Sequence, residues 1–322
     1  MTCPIYNKAW EIIDSSKIIE YMECPRKFFY RHILGWQVKG DNNHLIFGTS
    51  WHKAMAFILE YRDTLSDALL AEGAYAEFIS DYRRTYSEET DELFFPKCPN
   101  LARIALSLYI KKYKGDDFIV LHNEISGAVP IADDITINFR VDAIIRDKKS
   151  NKINLLEHKT GSYFSSSWAD KWLLSIQIGT YMHVLYCLYD KEDIGAGIVN
   201  GAFFTKTKSP SFSRIPIYKS DNSMLIWYEN AKHWAFLINK DTFLLAELYY
   251  KYEEEKVLSI FPMNTNSCSN YYGCPYRDFC IAWTNPLQHY SIIPLDMEVL
   301  FWDPSIDERE VKKVSLNKKK EV

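Results

Sequence analysis

Asp142, Glu157 and Lys159 are residue types that can hold a divalent cation and work beside it. Glu157 and Lys159 stand at the end of INLLEHKTG (153–161), which opens with the apolar Ile153, Leu155 and Leu156. Side chains alternate along a strand, so Glu157 and Lys159 share one face and His158 takes the other. The preceding ITINFRVDAIIR (135–146) is rich in β-branched and aromatic residues. It puts Arg140, Asp142 and Ile144 on one face and Phe139, Val141 and Ala143 on the other. The polar DKKSN (147–151) between them makes a hairpin-like connection that sets Asp142 beside Glu157. Two carboxylates at the end of an apolar sheet repel each other and lose solvation. A divalent cation between them keeps both ionised, and the Lys159 ammonium helps. Glu157-x-Lys159 alone also reads as a surface ion pair at an exposed strand end.

These residues need elements to position them. The pattern predicts a helix over 15–35 interrupted at Cys24-Pro25, with Ser15 or Ser16 as its cap. A helix over 45–62 carries Phe47, Trp51, Ala54 and Ile58 at helical spacing, and further helices follow near 66–86 and 101–114. The period then changes to that of strands at 117–125, 135–146 and 153–161. A helix over 168–190, strands over 195–206 and 212–218 and a long helix over 222–256 complete the pattern. A cysteine-bearing loop and a tail with Lys312, Lys313, Lys318, Lys319 and Lys320 end the chain. There is no internal repeat and no flexible linker. The order suggests one α/β core with helical additions at both ends.

Composition sets outer bounds. The chain has 322 residues, 47% hydrophobic and 15% aromatic, enough for a sizeable core. No apolar run of about 18 residues exists, so no membrane span is expected. The first residues lack an apolar signal core, which reads as a cytoplasmic protein. Its seven cysteines are then reduced thiols or metal ligands rather than disulfides. A net charge of −4 excludes a global attraction to nucleic acid, so any such binding needs a local basic surface. No phosphate-binding G-x-x-x-x-G-K-[ST] loop is present, so the chain is not itself a helicase.

Asp142, fourteen intervening residues, then Glu157-x-Lys159 on an apolar strand matches the PD-(D/E)XK nuclease pattern, with Val141-Asp142 in place of Pro-Asp. Around it, SKIIEYMECPRKFFYRHILG (16–35), FGTSWHKAM (47–55), HNEI (122–125), FRVDAII (139–145), LLEHKTG (155–161), QIGTY (177–181) and CPYRDFC (274–280) occur in order. In these segments the chain resembles RecB/AddB-type nuclease domains and the related CRISPR-adaptation exonucleases. The resemblance implies a restriction-endonuclease-like fold, a small mixed central sheet flanked by helices. It also implies a metal-dependent DNA exonuclease using Mg²⁺ or Mn²⁺, in DNA recombination, repair or phage- or CRISPR-type processing. It makes Asp142 and Glu157 metal-binding carboxylates, His52 a further ligand and the His158 carbonyl another. Lys159 orients or activates the attacking water, and Glu124 completes a second metal site. Gln177 and Tyr181, at i and i+4, line the active site and contact DNA. From the residues alone, His52 also reads as a core histidine, Glu124 as a surface glutamate, and Gln177 and Tyr181 as helix packing.

Cys268, Cys274 and Cys280 sit in a polar loop, far in sequence from Cys24-Pro25. They read as unrelated thiols or as a zinc site, although structural zinc usually shows closer pairs. The resemblance implies a [4Fe–4S] cluster on Cys24, Cys268, Cys274 and Cys280 that joins the two helical additions. Its spacing at Cys268 departs from the family's, which makes Cys98-Pro99 and Cys3-Pro4 substitutes. Cys187, in an apolar stretch, reads as core. Arg26, Lys27, Phe28, Tyr30, Arg31, Tyr271, Tyr272 and Arg277 read either as a guide for a nucleic-acid strand or as packing. The expected organisation is one nuclease unit over 1–322. Its parts are an N-terminal cluster half (1–40), a helical part with His52 (41–115), a catalytic sheet (116–220), C-terminal helices with cysteines (221–290) and a tail (291–322). The expected partners are DNA of single-stranded character and a helicase or other recombination protein. The reading from another class is a non-cleaving DNA-binding scaffold of the same fold.

Overall fold

A computed structural model describes residues 6–251, 257–270, 273–283, 287, 291–301 and 312–313. The chain packs as two compact units. The first gathers residues 1–40, 128–139 and 225–310, and the second residues 41–127, 140–224 and 311–322. Among the described residues no helix is long and apolar enough to cross a membrane.

The second unit holds most of a mixed sheet. Its strands are β2 (Phe118–Pro130), β3 (Thr136–Asp147), β4 (Ile153–Gly161), β5 (Ile194–Phe203) and β6 (Ser211–Ile217), following a short β1 (Trp36–Val38) of the first unit. They lie in the order β6-β5-β4-β3-β2. The two-residue Lys312–Lys313 pairs in parallel with β2 at Ile125 and Ser126. β3 and β4 are antiparallel, β4 and β5 parallel, and β5 and β6 antiparallel. The turn at 147–151 is closed by the Asp147 carboxylate, which accepts from the Ser150 amide and hydroxyl. Asn151 takes a positive φ of 57° there, a conformation asparagine tolerates well.

Three helices cover this sheet: α3 (Asn43–Tyr61), α4 (Asp67–Tyr82) and α5 (Pro99–Lys112), preceded by α1 (Ser15–Glu23) and α2 (Pro25–Phe28) of the first unit. Phe47, Trp51, Phe78, Tyr82 and Leu106 form one core with Ala202 and Phe204 at the end of β5. Leu59 joins Ala143, Ile145 and Leu156 in another, which carries α3 across β3 and β4. The helix expected over 168–190 is two: α6 (Ser166–Asp170) and α7 (Ile176–Leu188). Ser175 ends the continuity because its hydroxyl accepts from the Ile178 amide and caps α7.

In the first unit, the cap of α1 is Asp14 rather than Ser15 or Ser16; its carboxylate accepts from the Lys17 amide at 2.7 Å. α2 starts at Pro25 and runs into a π-helical turn at Phe29–Ile33. This unit also holds most of α8 (Asp221–Lys251), α9 (Val257–Ile260), α10 (Arg277–Ala282) and β7 (Met297–Val299), which pairs antiparallel with β1. Chain ends distant in sequence meet here. The Arg26 amide donates to the Pro262 carbonyl, its Nε to the Phe261 carbonyl and the Tyr276 hydroxyl to the Trp36 carbonyl. Tyr30 stacks on Trp36 and Tyr276, with ring centroids 5.7 and 5.3 Å away.

Candidate active site

β4 delivers Glu157, His158 and Lys159 to the point where its pairing with β3 stops. The antiparallel ladder runs from Arg146↔Ile153 to Ala143↔Leu156. The next pair in this register is Asp142 opposite Glu157, as the alternation and turn had implied. Asp142 Oδ2 accepts from the His158 backbone N–H at 2.7 Å. Its Oδ1 lies 2.8 Å from His52 Nδ1, which α3 brings to the strand end. Glu157 is 2% exposed; Oε1 pairs with Lys159 Nζ at 2.6 Å, while Oε2 is buried without a hydrogen-bond partner.

The electrostatics follow from this crowding. Burial and the charge of Asp142 push the Glu157 carboxyl up to about 7, against the pull of Lys159 and His52. Burial acts upward on Asp142 too, but the charge and hydrogen bond of His52 outweigh it and hold that carboxyl well below the usual range. In return, Asp142 raises His52 against the opposing effect of burial. Burial lowers Lys159, but the charges of Glu157 and Asp142 more than offset it, keeping an ammonium here. The site is thus short of positive charge on Glu157. A buried carboxylate oxygen with no partner, a second carboxylate and an imidazole suit a hard divalent cation such as Mg²⁺ or Mn²⁺. Among the described residues, no three His, Cys, Asp or Glu side chains already stand at ligating spacing.

His158 turns to the opposite face. Its Nδ1 meets Asn200 Nδ2 at 2.8 Å, and an amide nitrogen only donates, so Nδ1 accepts. Burial drives this imidazole down to about 3, so it is neutral. Asn200 Oδ1 accepts from Arg214 Nε at 3.2 Å. Arg214 also binds the Tyr109 hydroxyl and pairs with Asp116 at 2.6 Å. This network was not legible as a motif. Arg214→Met removes the cation and leaves Asp116, Asn200 and Tyr109 short of partners. We expect a loss of about 3 kcal/mol or more in urea unfolding. A loss within about 0.5 kcal/mol, the range of a surface change, would show that the network holds nothing.

The other candidate residues are placed as follows. Glu124 takes a positive φ of 55° and pairs with Arg140 at 2.8 Å, on the face that Arg140 shares with Asp142. Gln177 Nε2 donates to the Tyr181 hydroxyl at 3.0 Å on α7, and Tyr181 is 5% exposed. Cys24, Cys268, Cys274 and Cys280 all belong to the first unit. Burial raises Cys280 to about 11, and the neighbouring Cys24, Cys274 and Cys268 add to the rise. Cys274 is raised by burial and by Cys24 and Cys268 in the same way. The Asn264 amide donates to Cys24 Sγ at 3.4 Å. Cys98 and Cys187 belong to the second unit, and Cys3 lies outside the described residues.

Of the residues read as a strand guide or packing, Phe28 and Tyr30 are buried core, so neither offers a face to a base. Arg26 is buried, Lys27 pairs with Glu20 and Glu23, and Arg31 pairs with Glu20. Tyr271 and Tyr272 lie outside the described residues, as do Lys318, Lys319 and Lys320. The reading also passed over Trp168 and Lys171. Lys171 rides over Trp172 at 4.5 Å, and Lys159 lies 5.8 Å from the same ring. The available signal was SYFSSSWADKWLL (162–174), rich in large apolar residues directly behind the charged motif.

The profile of the PD-(D/E)XK nuclease superfamily matches residues 15–281. A solved structure from Eubacterium rectale described as "Putative exonuclease" is 14% identical, covering 78% of this chain and 87% of that one at a TM-score of 0.41. The structure of SSO0001 is 13% identical, covering 71% and 78% at a TM-score of 0.31. No curated protein matches the chain significantly.

Proposed function

Because the chain belongs to the PD-(D/E)XK nuclease superfamily, whose members hydrolyse phosphodiesters, we propose that it is a metal-dependent DNA exonuclease with its cleavage site at Asp142, Glu157 and Lys159. The observation that carries this reading is the buried, partnerless Glu157 Oε2 beside Asp142 and Lys159. Asp142, Glu157 and His52, with the His158 carbonyl, would hold Mg²⁺ or Mn²⁺. Bound there, the ion polarises the phosphate and offsets the charge that builds on its oxygens. Lys159 orients the attacking water and meets a phosphate oxygen. The water oxygen bonds to phosphorus as one ester P–O bond breaks with its electron pair. The water's proton is lost to solvent and the leaving oxygen is protonated, giving a phosphate monoester and a hydroxyl. His158, neutral and held by Asn200, fixes the strand that presents Glu157 and Lys159. In this reading Glu124 completes a second metal site, and Gln177 and Tyr181 line the active site and contact DNA.

Four thiols in one unit, with Cys24 and Cys268 near enough to act on Cys274 and Cys280, are a donor set suited to a [4Fe–4S] cluster. In this reading the cluster ties Cys24 to the loop from Cys268 to Cys280. Zinc is the competing occupant. The enzyme would act on DNA of single-stranded character in the cytoplasm, with a helicase or other recombination partner, in repair, recombination or CRISPR-type processing. A non-cleaving scaffold of the same fold has no use for the Asp142, Glu157 and Lys159 set, which favours the enzyme.

The test is incubation with end-labelled single- and double-stranded DNA and single-stranded RNA, with Mg²⁺, Mn²⁺ or EDTA. We expect metal-dependent release of short products from DNA ends, abolished in Asp142→Ala and Glu157→Ala. Intact DNA at every metal concentration would overturn the reading. Cleavage of RNA alone would overturn the DNA assignment.

A further inference from the structure

Between β4 and α7 the chain exposes large apolar side chains: Tyr163 is 67% exposed, Phe164 49%, Leu173 52% and Leu174 86%. A concentration of this kind on one short segment marks an interaction surface more often than chance. The sheet seats the rings behind it. Phe164 and Trp168 both meet Phe203 of β5, with centroids 5.7 and 4.8 Å away, and Trp168 meets Trp172 at 5.5 Å. Gly201 of β5 leaves room for Trp168, since a Cβ there would stand 2.7 Å from the indole.

This surface is continuous with the cleavage site. The Trp172 ring has the Lys159 ammonium 5.8 Å and the Lys171 ammonium 4.5 Å from its centre. Trp172 is 8% exposed, and its indole N–H is buried with no hydrogen-bond partner. Lys219 Nζ donates to the Leu173 carbonyl and brings a third ammonium to the segment. Among the described residues, neither Lys171 nor Lys219 forms an ion pair, and Asp170 is the one acid in SYFSSSWADKWLL.

We propose that this segment is a binding surface for an unpaired nucleic-acid strand entering the cleavage site. Tyr163 and Phe164 stack on bases, and Lys171 meets a phosphate. Lysines meet phosphates on one strand or two, but ring faces stack only on bases that a duplex does not hide. The cations beside the rings select a polyanion over a second copy of this chain. The inference rests on the nuclease reading of Asp142, Glu157 and Lys159 and adds the surface that chooses the substrate's form.

The experiment compares wild type with Tyr163→Ala/Phe164→Ala, Tyr163→Leu/Phe164→Leu, Lys171→Ala and Lys171→Arg. Fluorescence anisotropy with labelled oligo(dT) and with the matching duplex is run in EDTA, followed by steady-state cleavage and sedimentation. The double alanine variant should weaken oligo(dT) binding about tenfold or more. It should raise KM with kcat held and leave duplex binding unchanged. The leucine pair keeps apolar area without ring faces and should fail in the same way, which separates stacking from a folding defect. Lys171→Arg should restore what Lys171→Ala loses. Wild-type binding by both double variants overturns the surface, whether or not the protein cleaves. So does a dimer that dissociates in the double variants while oligo(dT) binding stays the same. If wild type binds oligo(dT), the variants do not, and no preparation cleaves, the surface stands and the nuclease reading falls.

Discussion

Lys159→Ala lowers the rate of phosphodiester cleavage by about 10²-fold or more while oligonucleotide binding persists. The ammonium lies 2.6 Å from Glu157 Oε1, and the charges of Glu157 and Asp142 keep it protonated against burial. Without it, Glu157 loses an ion-pair partner, and the phosphate loses a cation that counts most as charge builds on its oxygens. Lys159→Met is the companion variant, because it keeps an aliphatic stem near Trp172 and so isolates the charge from the packing. Single-turnover rates at saturating Mn²⁺ make the comparison, with melting curves beside them. Either variant cleaving at the wild-type rate would end the catalytic assignment of Lys159. A rate loss matched by a loss of folded protein in the alanine variant, but by neither in the methionine variant, would mark Lys159 as structural.

Cys24→Ala removes iron and the absorbance near 400 nm from anaerobically purified protein, lowers the melting temperature and opens both chain ends to protease. Closing a loop from residue 24 to residue 268 costs on the order of 5 kcal/mol of chain entropy, which metal–thiolate bonds can supply. Hydrogen bonds also close that loop, from Arg26 to the Phe261 and Pro262 carbonyls and from Asn264 Nδ2 to the Glu23 carbonyl. The variant should therefore be destabilised rather than unfolded. Iron should fall from about four atoms per chain to none. Full iron and full stability in Cys24→Ala would refute the clip. Zinc in place of iron in the wild-type protein would replace the cluster with the competing occupant.

The arrangement along β3 and β4 was readable from residue types. Alternation put Glu157 and Lys159 on one face, and the DKKSN turn set the register that brings Asp142 opposite Glu157. Local rules suffice there, since a strand's pleat and a short turn depend on neighbours a few residues away. The same holds for α3 and its apolar stripe, and for Pro25 at the start of α2. Local rules misjudged the stretch before α7, where the Ser175 hydroxyl competes for the backbone and splits one expected helix into two.

Only the tertiary structure decided which partner reached each face. His52 and Asp142 are ninety positions apart, and packing of α3 through Leu59 onto Ala143 and Leu156 brings them together. Asp142 is free to reach the His158 amide because the β3–β4 ladder stops one pair earlier. The Arg140 guanidinium settles where Glu124 points, and the core around Trp36 and Phe261 turns Phe28 and Tyr30 into packing. A sequence carries the face a side chain takes, because that follows from backbone period. It does not carry the choice between solvent, an ion pair and a ligand, because that depends on which distant charges and apolar surfaces fold against the same spot.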